Sequence, residues 1–464
     1  MVRPAEAEAV KLFHEGLIAF SQMEQNGVLI DREYLNKAMQ DTGNQIQELE
    51  AKLKSDKVFK LWKRRFGDKA SLGSKIQLEK IVFDELGFKR TGRETDKGRV
   101  KTDESAFEFV DHPFVKDFFR LEKLKKVRGT YLSQLEREMD ESGYIHPFVN
   151  LHTTISYRSS IDRPSFQNLP IRDPIQGELV RRAIVAPKGY RVGEIDFSGN
   201  EVRWSVVYHK DPKMREYILD PTTDMHRDMA MECYRLKKKE VSKMARYVAK
   251  NRFVFPQFYG SYWYDCAQNM WEAIDLYKIK TEDGIPLKKH LKRKGIKKLG
   301  DCGRNDREPQ SGTFQRHLME VEKDFWGNRF QVYDQWKKDL WVKFCKRGWL
   351  RYKTGFVASG LLNRKQVCNY PIQGSAFHGL LWCLIELQKW LNKHNMKSRI
   401  ILQIHDSILM YLWKTEIADV LQKAKEIMTV RMLKHWKFLD IPFEIEAEVS
   451  PKGKSWFEKE KYEL

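Results

Sequence analysis

The chain runs to 464 residues, 41% of them apolar, which suits several lobes around an extensive core and excludes one small domain. Lys and Arg total 84 against 64 Asp and Glu, a net charge of +20 that favours a polyanionic partner, either nucleic acid or an anionic membrane surface. No stretch reaches the roughly eighteen apolar residues of a membrane span, and the first residues carry acids rather than an apolar signal core. Six scattered cysteines without a Cys-x-x-Cys pair argue against structural zinc or a disulfide framework. An intracellular, soluble, basic protein is expected.

From Ala7 to about Leu135, apolar residues recur three and four apart, as at Leu12, Phe13, Leu17 and Phe20 and again at Phe118, Phe119, Leu121 and Leu124, which predicts helices. Phe88 to Val100, broken by Gly92 and Gly98 and dense in Lys and Arg, predicts a mobile basic loop. Tyr144 to Asp173 is extended in texture. Tyr190–Asp196 and Ile400–Ile404 read as strands, the second continuing into Ile408–Leu412 as a hairpin. Helical tracts lie between them, with a polar, basic stretch at Lys278 to Gly312. The fold class is mixed α/β with helical lobes.

Three segments could carry chemistry. Asp196 ends the first strand, and Ser198 with Glu201 three residues later forms a capping box for the next helix. A carboxylate there is exposed and free to bind a cation, or it merely helps the cap. At the hairpin tip, Gln403-Ile404-His405-Asp406-Ser407 sets polar residues between apolar ones; alone, it is an ordinary turn. Two such carboxylates on adjacent strands would make an oxygen-only site suited to magnesium, with two ions about 4 Å apart for phosphoryl transfer. The third segment runs from Arg246 to Gly260. Arg246 and Lys250 lie one helical turn apart and could grip a triphosphate, with the segment's aromatics below to cover a base or sugar, or form a solvated basic face. Seven Lys or Arg between Lys288 and Lys298 read as a solvated run or a phosphate-tracking patch. Trp263, Trp271, Trp326 and Trp336 read as core rather than stacking platforms.

Taken together and in order, these segments resemble the family A DNA polymerases, in spelling nearest the phage replicative enzymes. Asp196-Phe197-Ser198-Gly199-Asn200-Glu201-Val202-Arg203 looks like that family's motif A, Arg246 to Gly260 like motif B, and Gln403-Ile404-His405-Asp406 like motif C. Arg163 to Arg172, Asp224-Met225-His226, Asn369 to Ala376, Met23 to Val28 and Ser74 to Leu78 resemble flanking elements. The resemblance implies a right-hand architecture with an antiparallel palm sheet and largely helical thumb and fingers. The thumb with the N-terminal segment would occupy 1–170, palm 171–212, fingers 213–340 and palm again 341–464. Asp196 and Asp406 would ligand two Mg2+ ions, with Mn2+ as a substitute. Arg246, Lys250 and His226 would bind the incoming deoxynucleoside triphosphate, Lys250 also donating a proton to the leaving pyrophosphate. Glu201 would exclude a ribose 2′-hydroxyl, and Tyr259 would border the templating pair. Phe255 or Phe253 would meet the nucleotide. Arg158, Asn369 and Gln373 would contact primer–template DNA in the minor groove, and His405 the primer end. Processivity or replisome proteins are conceivable further partners, no membrane is involved, and the cytoplasm is the expected compartment, a host's if the chain is viral.

Three departures stand out. Lys250 and Phe255 are five apart where the family spaces them by four, which a one-residue π-bulge would accommodate. Ser407 stands where many relatives carry Glu. Lys365, with Arg364 beside it, replaces the family's Arg four residues before Asn369. Only about a dozen residues precede the matched region, less than a domain, and Asp31-Arg32-Glu33 reads as a helix start, so no proofreading exonuclease is expected in this chain. The rival readings are a single-subunit RNA polymerase and a non-catalytic primer–template-binding protein.

Overall fold

The computed structural model describes residues 4–88, 102, 104–108, 110–170, 173–303 and 308–464. The predicted basic loop beyond Phe88 and the end of the Arg163–Arg172 segment lie outside the described residues.

A five-stranded antiparallel sheet organises the molecule. Its strands are β1 (Tyr190–Phe197), β2 (Arg399–Ile404), β3 (Ser407–Trp413), β4 (Ile445–Val449) and β5 (Glu460–Tyr462), in spatial order β5-β4-β1-β3-β2. Each predicted strand is present, one to two residues longer than its apolar run, because ladder hydrogen bonds extend past the last buried side chain. β3 is buried on both faces from Ser407 to Leu412 and reads as a continuous apolar run. β2 and β3 join through the two-residue turn His405-Asp406, pairing Ile404 with Ser407.

One side of the sheet carries the thirty-residue helix Arg364–Lys393, whose central face from Ile372 to Leu391 is almost wholly buried. Gly374 lets this helix approach: a Cβ there would stand 2.4 Å from the Ser156 carbonyl oxygen and 2.5 Å from the Tyr352 ring. Helix Pro4–Asn26 packs against that helix and β2, so it belongs to the sheet's core. The helices from Arg32 to Lys126 gather a second core around Trp62, Leu78, Phe114 and Phe118. The two cores therefore divide inside the segment 1–170 rather than at its end.

Beyond β1 and helix Asn200–His209, the chain builds a helical lobe from Met225–Tyr234, Lys243–Ala249, Trp263–Leu276 and Phe314–Asp324. At its centre Phe314 stacks on Tyr234 and packs at a tilt against Trp271, at centroid distances of 6.0 and 5.2 Å. Trp271, Trp326 and Trp336 pack against the main core. The basic run folds into helix Leu287–Arg293 and the turns after it. Leu287, Leu291 and Ile296 point inward, and Lys292, Arg293 and Lys294 stand exposed.

Candidate active site

The cleft is built where β1 and β3 end side by side. Asp196 is the penultimate residue of β1 and lies directly across from Ser407, while Asp406 is the residue just before Ser407 in the turn. The backbone N–H of Phe197 donates to the Asp406 carbonyl at 3.3 Å, tying the two carboxylate-bearing backbones together. Asp196 is exposed at the strand end, yet neighbouring protein partly desolvates its carboxyl. That desolvation, with the charges of Asp406 and Glu194, pushes its pKa up to about 7. Asn200 Nδ2 donates to Asp406 Oδ1 at 3.1 Å. Among the described residues no group of three or more His, Cys, Asp or Glu gathers as a metal cluster; the candidate site is a carboxylate pair.

The capping box expected of Ser198 and Glu201 does not form. Gly199 takes φ +63° at the N-cap, the helix begins at Asn200, and no side chain caps it. The left-handed turn shifts the start by one residue and releases Glu201 into the cleft. There its Oε1 lies 3.4 Å from Arg158 and its Oε2 accepts from the Tyr259 hydroxyl at 3.5 Å. Desolvation raises the Glu201 pKa, and Arg158 opposes the rise.

The third segment carries the π-turn that its spacing predicts. Helix Lys243–Ala249 passes through the π-turn Lys250–Val254 into helix Phe255–Phe258. The extra residue rotates Phe253 into the core against Phe325, at 5.4 Å, and turns Phe255 outward beneath Lys250, whose Nζ lies 5.2 Å above the ring. His226 meets the edge of the same ring at 5.8 Å. Desolvation, then the charges of Lys250 and Arg246, lowers its pKa to about 4, and its Nδ1 is buried without a hydrogen-bond partner. Arg246 pairs with Asp224 at 2.7 Å, and Asp224 in turn caps the helix that carries His226.

Phe255, Tyr259, Glu201, Asn369 and Gln373 line one cleft. Tyr259 is 51% exposed at its mouth. His405 stands in the turn, its pKa lowered by desolvation and then by the positive charge of Arg158. The Lys365 stem packs over Gly260, where a Cβ would meet it at 3.2 Å. Of the residues read from the sequence, Glu201, Phe255, Tyr259, Asn369 and Gln373 share this cleft, Arg158 pairs with Glu201, and Lys250 and His226 contact Phe255. Sequence reasoning missed Asn200 as the partner of Asp406, and it missed Glu194 altogether. The signal for Glu194 was its place two residues before Asp196 on a strand, which puts both on one face.

An antiparallel sheet faced by a helical lobe is the right-hand architecture that the sequence resemblance implies. The family model for DNA polymerase family A matches residues 32–276 and 357–458, and the chain belongs to that family. The thermostable DNA polymerase I of Thermus aquaticus is 24% identical over 440 residues, covering 94% of this chain and 46% of that protein. The DNA polymerase of Bacillus phage SP01 is 26% identical over 456 residues, covering 91% and 44%. The chain thus spans about half the length of the curated relatives it matches. The fold is similar to the POL domain of Pol1 from M. smegmatis, solved in complex with DNA primer-template and dNTP, with a TM-score of 0.70 at 22% identity over 96% of this chain and 70% of that one.

Proposed function

We propose that this chain is a template-directed DNA polymerase that extends a primer 3′ end with deoxynucleotides and releases pyrophosphate. The observation that carries the reading is the placement of Asp196 and Asp406 at neighbouring strand ends, beside a cleft shared by Glu201, Phe255 and Tyr259. Family membership supports it, as does the primer-template and dNTP held by the M. smegmatis protein.

The donor set fits a divalent cation. Two crowded carboxylates, one with its pKa pushed up to about 7, repel each other until a cation shields them, and all-oxygen donors suit Mg2+, with Mn2+ as a substitute. Two ions held by Asp196 and Asp406 would acidify the primer hydroxyl and neutralise charge on the pyrophosphate. The chain's own residues do the rest. Arg246, Lys250 and His226 hold the triphosphate, and Lys250 gives a proton to the leaving pyrophosphate. Arg246 exchanges Asp224 for phosphate as nucleotide arrives. Phe255 lies beneath the nucleotide, and Tyr259 borders the templating pair. Glu201, held by Arg158 and Tyr259, fills the space a ribose 2′-hydroxyl needs. Arg158, Asn369 and Gln373 contact the minor groove, and His405 the primer end. In this reading the helical lobe is the fingers, the sheet the palm, and the second core the thumb. No helix among the described residues is long and apolar enough to cross a membrane.

Pyrophosphate release tests the reading. Release is expected only when primer–template, the complementary deoxynucleotide and a divalent cation are all present; release without template, or none at all, contradicts it. The exposed cations Lys292, Arg293 and Lys294 offer a second check. If they track template phosphates, neutralising all three lowers the slope of log affinity against log salt by about one per lost contact. An unchanged slope makes the run a solvated surface.

A further inference from the structure

Ser407 leaves the acid of its sequence position missing, and a carboxylate from the neighbouring strand reaches it. The Ser407 hydroxyl donates to Glu194 Oε1 at 2.7 Å and shares that proton with the Ile404 carbonyl at 3.0 Å. The other oxygen of Glu194 accepts from Trp456 Nε1 at 2.8 Å and from the Lys459 ammonium, which also pairs with Glu448. The Glu194 side chain is 13% exposed, and both of its oxygens are engaged. Trp456 and Lys459 come from the C-terminal segment that leads into β5.

This network grips the turn between β2 and β3 from behind. His405 sits at φ +50°, a conformation that non-glycine residues hold only when their surroundings impose it. On one side, Gln403 Nε2 donates to the His405 carbonyl at 2.6 Å, and Ser159 in turn donates to Gln403 Oε1 at 2.5 Å. On the other side, the only side-chain tie to Ser407 among the described hydrogen bonds is Glu194. Asp406 lies between these two anchors.

We infer that Glu194 is a positioning residue for the carboxylate pair: through the Ser407 hydroxyl it fixes the turn that sets Asp406 beside Asp196. Lys459 and Trp456 aim this third carboxylate, so the C-terminal segment is part of the site's support. The acid absent after Asp406 in sequence is supplied in space from β1. The inference rests on the metal-binding reading of Asp196 and Asp406, and the test separates the two.

Mn2+ binding to the full chain without DNA, followed by the electron paramagnetic resonance of free Mn2+, provides the readout. Glu194→Gln and Ser407→Ala should each raise the Mn2+ dissociation constant by about tenfold or more. The thermal midpoint and primer–template affinity should stay at wild-type values, and kcat should fall with little change in nucleotide KM. The exchange Glu194→Ser with Ser407→Glu should recover most of the Mn2+ affinity. Wild-type affinity in both single variants, with affinity lost in Asp406→Ala, overturns the role of Glu194 alone. Weakening that only tracks a lowered thermal midpoint overturns it as well, reducing the network to a buried ion pair. Wild-type affinity in Asp406→Ala overturns the metal reading, and this inference with it.

Discussion

Asp406→Ala is expected to slow nucleotide addition by about 10³-fold or more, roughly 4 kcal/mol in the barrier, while primer–template affinity stays within about twofold. The separation follows from where Asp406 sits. Its carboxyl is half-buried and, among the described residues, takes one side-chain hydrogen bond, from Asn200. The turn is held by Gln403 and Ser407 rather than by the Asp406 side chain. Removing the carboxylate therefore takes half of the donor pair and little of the fold. DNA affinity draws on phosphate contacts spread over a basic surface, which a single acid does not control. Gel-shift and single-turnover extension measurements on one preparation check both halves. Loss of DNA binding in step with activity would make Asp406 structural.

The second large effect is on stability in acid. His209 and His378 are buried, and desolvation lowers both pKa values to about 3. Their hydrogen bonds agree with a neutral ring. His209 Nδ1 accepts the backbone N–H of Asp211 at 2.9 Å, so a proton there would face another donor. His378 Nε2 reaches the Tyr157 carbonyl at 3.1 Å and so carries the proton, leaving Nδ1 to accept from Thr354 at 2.7 Å. The folded pKa is depressed below the unfolded value of 6.5, so the unfolded chain binds the extra protons. Stability is complete above pH 6.5 and falls as pH drops from 6.5 toward 3, by about 1.4 kcal/mol per pH unit for each ring. Two rings at pH 5 remove roughly 4 kcal/mol, a large share of an ordinary domain's margin. The urea midpoint should therefore fall between pH 6.5 and 5, and His209→Gln, which keeps an acceptor for Asp211, should reduce that fall by the share of one ring, about 1.4 kcal/mol per pH unit. A midpoint flat over that range contradicts the assignment.

Much of the palm is legible in the sequence because its strands are short apolar runs bounded by polar turns, as Ile400 to Leu412 shows. The π-turn was legible for another reason: a spacing of five from Lys250 to Phe255 cannot keep one face on a regular helix. Which phenylalanine meets the cleft was not, since the rotation that buries Phe253 against Phe325 depends on a partner 72 positions away. Gly199 defeated the capping box because its left-handed conformation is a backbone choice that the Ser-x-x-Glu pattern does not reveal. Glu194 stayed hidden because its partners Ser407, Trp456 and Lys459 lie 213 to 265 positions onward, and only strand register brings them together. The split of cores within residues 1–170 escaped for the same reason: helix Pro4–Asn26 looks like its neighbours in periodicity, and only its partner helix and β2 assign it to the sheet's core.

Single-nucleotide insertion opposite each template base, with deoxy- and ribonucleotides run side by side in Mg2+, tests the central claim most directly. Growth by one residue is expected with the complementary deoxynucleotide only, and ribonucleotide use should rise in Glu201→Ala. Equal use of ribonucleotides by the wild-type chain would move it to RNA synthesis and remove the role given to Glu201. Tight primer–template binding with no growth under any nucleotide would contradict catalysis and leave a DNA-binding protein on a polymerase fold.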